Sequence, residues 1–447
     1  MVHSLGMKLY LRTFGCQMNV HDSSRISEIL GLSNYVLTKD PSQADLVIIN
    51  TCSVREKAWH KAVSEAGRMC VIKKRNPDLV IAVVGCVAQQ EGQKWFKQLP
   101  LLDLVVGPDH YGELADYVDR VRRERKPRVI IGFDEGLEGD FLTTTVPGTR
   151  SDATAFVTVM KGCSEKCNYC IVPTVRGPER FRPAGDIVSE VELLVENGTK
   201  EIMLLGQKVN VYSEGDLSFA GLLRRLDGIS GLERIRFTSP HPRHMTDDLI
   251  ACFGSMRTLC ESIHLPVQSG SEKTLRSMGR RYTADFYREV TDKLKSACPE
   301  ILISTDFIVG YPGETEADFE ETIRLIEDVR FAGVFSFKYS ARPQTVAAEL
   351  VDDVTEEEKA RRLARLHDVT GNVEREIKQR LVGTNHQVLV EGNGRNPGQL
   401  TGRARNNQII NFIPSSGAKL NSEGGVGQLI DVQVVRVLPH SLEGKPL

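Results

Sequence analysis

Short apolar runs separated by about one β/α unit mark the first part of the chain. Residues 8–14, 45–50, 79–85 and 102–107 read as strands, and stretches with helical spacing or helix-forming residues follow, as at 54–74 and 111–125. Alternation of this kind predicts an α/β domain with a parallel, doubly wound sheet. A Gly-, Thr- and acid-rich passage then breaks the pattern. From residue 153 the alternation resumes with six strand candidates, at 155–161, 201–206, 234–239, 262–267, 301–309 and 334–340. Six β/α units predict a partial, open barrel. The charged stretch 355–379 reads as one long helix leading out of it. After Lys378 short β-rich pieces divided by Gly and Asn turns predict a small all-β barrel. The expected boundaries are therefore 7–132, a linker at 133–152, a barrel domain at 153–375 and a β domain at 378–447.

A length of 447 residues agrees with several domains. Hydrophobic content of 40% with 26% charged residues is that of a globular protein, and a net charge of -2 creates no global basic field. Any nucleic-acid contact must rest on local patches. The first ten residues lack a long apolar stretch, and no run approaches the roughly 20 apolar residues that cross a bilayer. The expectation is a cytoplasmic monomer with no membrane partner. Ten cysteines in such a chain point to metal or redox chemistry, because reducing compartments do not keep structural disulfides.

Their positions carry the argument. Cys163, Cys167 and Cys170 form a C-x3-C-x2-C loop directly after the first barrel strand. Three thiolates on a four-iron cluster leave one iron without a protein ligand. S-adenosylmethionine (SAM) is a cofactor that chelates such an iron and, on one-electron reduction, gives a carbon radical. A zinc knuckle is the alternative, but no nearby His or fourth Cys completes a tetrahedron. Cys16, Cys52 and Cys86 are spaced by 36 and 34 residues, one β/α unit each, and every one ends a strand candidate. A parallel sheet would bring all three thiols to its carboxyl edge, where such folds bind ligands and helix N-termini favour anions. The alternative, three buried apolar cysteines, is common for one Cys but not for three in register. A second cluster with an open iron follows.

Several segments resemble the methylthiotransferase family of radical SAM enzymes. They are Thr13-Phe14-Gly15-Cys16-Gln17-Met18-Asn19, Asn50-Thr51-Cys52-Ser53-Val54-Arg55-Glu56-Lys57-Ala58, Gly85-Cys86-Val87-Ala88-Gln89, Lys161-Gly162-Cys163 through Cys170-Ile171-Val172-Pro173, and His264-Leu265-Pro266-Val267-Gln268-Ser269-Gly270-Ser271. The run Arg55-Glu56-Lys57-Ala58 resembles the branch acting on N6-isopentenyladenosine next to the tRNA anticodon. The resemblance implies three domains, the last an RNA-binding TRAM domain, and two [4Fe-4S] clusters. It also implies SAM both as methyl donor, to a sulfur on the N-terminal cluster, and as source of a radical that takes hydrogen from adenine C2. A radical suits this carbon because its C–H bond is not acidic enough for a side chain to deprotonate at pH 7. By the same resemblance SAM contacts fall at Gly206, Gln207, Ser239, Gln268, Asp306, Gly310 and Pro312, and an electron donor and a sulfur source are needed. The chain departs from the family pattern in having Gln344 for a usual Gly, Lys208 for a usual Asn, and Thr174-Val175 for a Tyr-containing run.

Residues 378–447 hold eight Lys/Arg against four Asp/Glu, an excess suited to phosphate. Arg403 and Arg405 are the candidate contacts to the tRNA anticodon loop. Cys70, Cys252, Cys260 and Cys298 share no spacing and read as thiols outside the clusters. The rival readings are methylthiolation of a ribosomal-protein aspartate or of threonylcarbamoyladenosine in tRNA, and a non-catalytic iron–sulfur RNA-binding protein.

Overall fold

The structure, a computed structural model, describes residues 6–53, 56–133, 152–415, 420–421 and 424–447, with the backbone alone at 56–58. All of the expected linker except its two end residues, and Val54-Arg55 of the family-like motif, lie outside the described residues. The chain divides into two compact units. The first takes residues 1–146 with 161–165 and 170–182, and the second takes 147–160, 166–169 and 183–447.

In the first unit six strands form one sheet: Met7–Phe14, Tyr35–Leu37, Leu46–Thr51, Val80–Gly85, Leu104–Val106 and Arg128–Ile130. All pairings are parallel, and the first strand lies between the second and third. Leu46–Thr51 and Val80–Gly85 are buried along their whole length. Alternate residues explain this: Leu46, Ile48, Ala82 and Val84 pack into one core, while Val47, Ile49, Ile81 and Val83 pack into another on the opposite face. The doubly wound expectation is met, with two three-residue strands added at the edges.

The second unit contains all six expected barrel strands, Thr154–Thr158, Glu201–Leu205, Arg234–Phe237, Ser262–His264, Leu302–Val309 and Gly333–Lys338. They form two parallel three-stranded sheets linked by a parallel bridge between Ile235 and Leu259. Four of the helices between them start at hydroxyl caps, Ser218, Thr246, Thr283 and Thr315, each accepting a backbone N–H of the first turn. The long helix runs Glu356–Arg380, capped by Thr355, with three glutamates in its first turn and two cations in its last. A closed five-stranded barrel follows, in the order Asn385–Asn393, Leu400–Ala404, Ile409–Phe412, Leu442–Pro446, Leu429–Val437. Val388, Val390, Ile410, Phe412, Val432 and Val434 fill it. Among the described residues no helix is long and apolar enough to cross a membrane.

Candidate cluster and cofactor site

Cys16, Cys52 and Cys86 leave three adjacent strands at the same edge. Phe14 pairs with Thr51 and Thr51 with Gly85, so the three cysteines follow the last rungs of one ladder. Gly85 makes the turn possible: its φ is 99° and ψ -164°, and a Cβ there would lie 2.5 Å from Asn50 Oδ1 and 2.6 Å from Thr51 O. Asn19 and Asn50 brace the edge. Asn19 Nδ2 donates to Asn50 Oδ1 at 3.0 Å, and Asn50 Nδ2 donates to Asn19 O at 2.9 Å. Cys16 caps helix Gln17–Leu32, and its Sγ donates to Asn19 Oδ1 at 3.3 Å.

The thiols are in electrostatic contact. A hydrogen bond with Cys52, against the opposing effect of burial, holds the Cys16 thiol down at about 6. Burial pushes Cys86 up, with Arg176 opposing. Arg176 ends the short helix Val172–Arg176, donates from Nε to Cys86 Sγ at 3.1 Å, and pairs through Nη2 with Asp22 Oδ2 at 2.7 Å. Neither Arg176 nor Asp22 exceeds 5% side-chain exposure. Four buried polar atoms of this region have no partner among the described residues: Thr51 Oγ1, Ser53 Oγ, Tyr111 Oη and Arg176 Nη1. Orphaned donors beside three thiols fit an anionic, sulfur-bound group. Among the described residues no three His, Cys, Asp or Glu side chains converge as a single metal ion requires.

The C-x3-C-x2-C loop is partly exposed at all three thiols. In the first unit, Cys163 N donates to Gly177 O at 3.0 Å. In the second unit, Asn168 N donates to Met278 O at 2.9 Å, Asn168 Nδ2 to Ser277 O at 2.8 Å, and Arg280 Nη1 lies 3.7 Å from Cys167 Sγ. The chemistry of the donor set, three thiols from one loop with none in a disulfide among the described residues, suits a cluster with one open iron.

Of the residues proposed for SAM, Gly206, Gln207, Ser239, Gln268, Gly310 and Pro312 follow barrel strands, and Asp306 lies within Leu302–Val309. Gly206 follows Leu205, and a Cβ there would meet Met160 Cγ at 2.5 Å; Gln207 is half-buried beside it and Lys208 is buried. Ser239 and Gln268 adopt φ of 57° and 80°, left-handed conformations that non-glycine residues rarely hold. Gln268 is fixed on both sides, its N donating to Asp306 O and its O accepting from Ile308 N, both at 2.9 Å. Asp306 Oδ1 stands 3.3 Å from His264 Nε2. Gly310, at φ 70°, leads into buried Pro312; its N donates to Glu314 Oε2 at 2.6 Å, and Arg362 Nη1 donates to the same oxygen at 2.8 Å. Lys359 packs over Gly310, where a Cβ would come 2.3 Å from Lys359 Cγ. The long helix thereby clamps the Gly/Pro turn.

Arg403 and Arg405 are both engaged. Arg403 pairs with Glu391 at 3.0 Å, and Arg405 pairs with Glu261 at 2.8 Å and donates to Leu259 O. Sequence reasoning missed the reverse contacts. Buried Arg234 donates to Arg403 O and Gln387 O, and Arg236 to Arg405 O and Ala404 O, with Glu201 within 3.1 Å of Arg236 Nε. The alternating Arg234-Ile235-Arg236 of a core strand is the signal that could have found them. Arg176, Asp22 and Tyr111 were missed too, and only contact across the fold brings them to the cysteines. Cys252, Cys260 and Cys298 are buried and Cys70 half-buried.

The Radical SAM superfamily model matches residues 157–326, the model described as Uncharacterized protein family UPF0004 matches 8–107, and the TRAM domain model matches 379–447. The chain is 44% identical to the tRNA-2-methylthio-N(6)-dimethylallyladenosine synthase of Stutzerimonas stutzeri (strain A1501) over 443 residues, 98% of this chain and 99% of that protein. It is 45% identical to the protein of that name from Pelobacter propionicus over 444 residues, 98% of each. A solved radical SAM methyltransferase, TsrM from Kitasatospora setae with cobalamin and a [4Fe-4S] cluster bound, shares the fold at a TM-score of 0.58, 12% identity and 77% coverage of each chain. The chain belongs to the radical SAM family of tRNA-2-methylthio-N(6)-dimethylallyladenosine synthases.

Proposed function

We propose that the protein is a tRNA methylthiotransferase that replaces C2–H of N6-isopentenyladenosine, beside the anticodon, by C2–SCH3. The observation that carries the reading is the register of Cys16, Cys52 and Cys86 at one sheet edge, in a chain that already has a C-x3-C-x2-C loop. One trio accounts for a radical enzyme, and a second accounts for sulfur insertion. When bound, the [4Fe-4S] clusters and SAM supply the 5′-deoxyadenosyl radical and the methylated sulfur.

The protein's own residues bind and orient. Cys163, Cys167 and Cys170 hold one cluster, and Cys16, Cys52 and Cys86 the other. Gly206 and Gln207 receive the methionine end of SAM, and Ser239, Gln268 and Asp306 are further contacts to it. Gly310 and Pro312, fixed by Glu314, Arg362 and Lys359, present a flat turn to the adenine. Strained backbone at Ser239 and Gln268 supports a site pre-shaped for a ligand. The C-terminal barrel receives the anticodon arm. Its basic excess supports this role, with Arg403 as a contact and Arg405 chiefly a tie to Glu261. The domains run 7–132, 153–375 and 378–447. The enzyme works as a cytoplasmic monomer with an electron donor and a sulfur source.

The test is reaction of the reconstituted, reduced protein with SAM and tRNA bearing N6-isopentenyladenosine, followed by mass spectrometry of the nucleosides. The 2-methylthio product is expected, with 5′-deoxyadenosine. Unchanged nucleoside alongside 5′-deoxyadenosine would move the substrate to another adenosine or to a protein aspartate. Absence of 5′-deoxyadenosine would leave a non-catalytic RNA-binding protein.

A further inference from the structure

The buried surroundings of the Cys16, Cys52 and Cys86 trio are cationic. Arg25, Lys161, Arg176 and Arg182 are each no more than 7% exposed, and all four act on buried His21, which burial and these charges hold well below its ordinary pKa. So much buried positive charge is costly unless negative charge accompanies it. Asp22 pairs with Arg176 and Glu28 with Arg25. Cluster thiolates would add negative charge beside Arg176.

Arg176 is the member of this set that touches a thiol. Its three nitrogens divide the work: Nη2 is fixed by Asp22 at 2.7 Å, Nε reaches Cys86 Sγ at 3.1 Å, and Nη1 is buried with no partner among the described residues. A planar guanidinium can serve three directions at once, which an ammonium on a flexible stem does less well. Backbone geometry fixes its base, since the next residue, Gly177, accepts the Cys163 N–H at 3.0 Å. Tyr111 lies within electrostatic reach of Asp22, Arg176 and Cys86, and its hydroxyl also lacks a partner among the described residues.

We propose that Arg176, locked by Asp22, is a positioning residue for the N-terminal cluster, giving its Nη1 hydrogen bonds to a sulfur anion of the hydrosulfide class held there. The inference rests on the reading that Cys16, Cys52 and Cys86 bind a cluster. Two consequences follow. A cation donating to cluster sulfur stabilises the more negative, reduced state, so it raises the reduction potential. It also strengthens binding of an anion at the open iron.

The test uses full-length protein carrying Cys163→Ala, Cys167→Ala and Cys170→Ala, reconstituted so that only the N-terminal cluster is loaded. Arg176→Lys and Arg176→Gln are compared in that background by iron and sulfide content, EPR-monitored redox titration and titration with hydroselenide. Arg176→Gln is expected to lower the potential and weaken hydroselenide binding about tenfold or more, the loss of one charge-assisted hydrogen bond. Arg176→Lys should fall between it and the parent. An Arg176→Gln cluster with the parent's potential and hydroselenide affinity overturns the proposal. Loss of cluster in both variants with unfolded-type tryptophan emission also overturns it, because the role is then structural. A parent that binds no iron fails differently, since it removes the cluster assignment itself.

Discussion

The tight approach at Gly85 makes the cluster site proposed at Cys16, Cys52 and Cys86 depend on a single missing methyl group. Replacing Gly85 by Ala forces an L-residue to φ 99° and ψ -164°, a region that costs about 1–3 kcal/mol. The new Cβ would also sit 2.6 Å from Thr51 O and 2.5 Å from Asn50 Oδ1. The first is a backbone atom in a fully buried strand, and Asn50 is tied to Asn19 and Ser23, so neither yields without moving the edge that carries Cys52. Overpacking of this kind adds about 1–3 kcal/mol. A total of about 4 kcal/mol, with a urea dependence of ~2 kcal/mol per molar, moves an unfolding midpoint down by about 2 M. The assay is specific to this region because the two tryptophans, Trp59 and Trp95, stack edge-on at 4.6 Å within the N-terminal sheet domain. Their emission followed through a urea titration of cluster-free protein reads the domain alone, and iron content after reconstitution reads the site. Gly67→Ala is the matched control: Gly67 is inside helix Glu56–Lys73 with nothing within 4 Å of the place a methyl group would take, so it should gain about 1 kcal/mol. A Gly85→Ala protein with the parent's midpoint and iron load would refute the claim that the strand-end turn is this tight.

Three further outcomes follow from the second unit. Gln344 is exposed at φ 70°, where the family usually has Gly; Gln344→Gly should raise the thermal midpoint by the equivalent of ~0.5–1 kcal/mol, and a lowered midpoint would contradict that backbone assignment. Asp318 is desolvated, which raises its pKa, but hydrogen bonds from Thr315, Ser271 and Lys273 win and hold it at about 2 against an ordinary 3.8. Its folded pKa is depressed, so its stabilisation is full above about 4 and is lost as pH falls toward about 2. Asp318→Asn should therefore be less stable than the parent at pH 7, with the gap closing below about pH 3; a constant gap in acid-denaturation curves would rule this out. Arg236→Met leaves buried Glu201 and the carbonyls of Ala404 and Arg405 short of a donor, at a cost of about 3–5 kcal/mol. Limited proteolysis should then cut between the long helix and the C-terminal barrel faster than in the parent, and an unchanged pattern would count against Arg236 as the tie.

What the sequence disclosed and what it hid divide along a physical line. Strands buried on both faces, such as 46–51 and 80–85, announce themselves by apolar continuity, and cysteines one β/α unit apart must share a sheet edge whatever the surrounding detail. The C-x3-C-x2-C loop is likewise local. Short edge strands escape because three residues, as at Tyr35–Leu37 and Arg128–Ile130, hold no period. Leu400–Ala404 and Leu442–Pro446 escape because Gly402, Gly444 and Pro446 break the β pattern, although Gly402 is there so that the neighbouring strand can approach through Leu389 O.

Charged residues are the harder case, since charge alone reads as surface. Arg405 reads as a phosphate contact and also grips Glu261, while Arg234 and Arg236, which lie in a strand candidate and stand out by no motif, are buried donors to the barrel's carbonyls. Arg176 sits 90 positions from the thiol it contacts. No spacing rule links them, because a buried ion pair is specified by shape in three dimensions and by the cost of leaving either partner alone. The chemistry of this family is thus written locally in its cysteines, and the electrostatics that would poise that chemistry is written only in the fold.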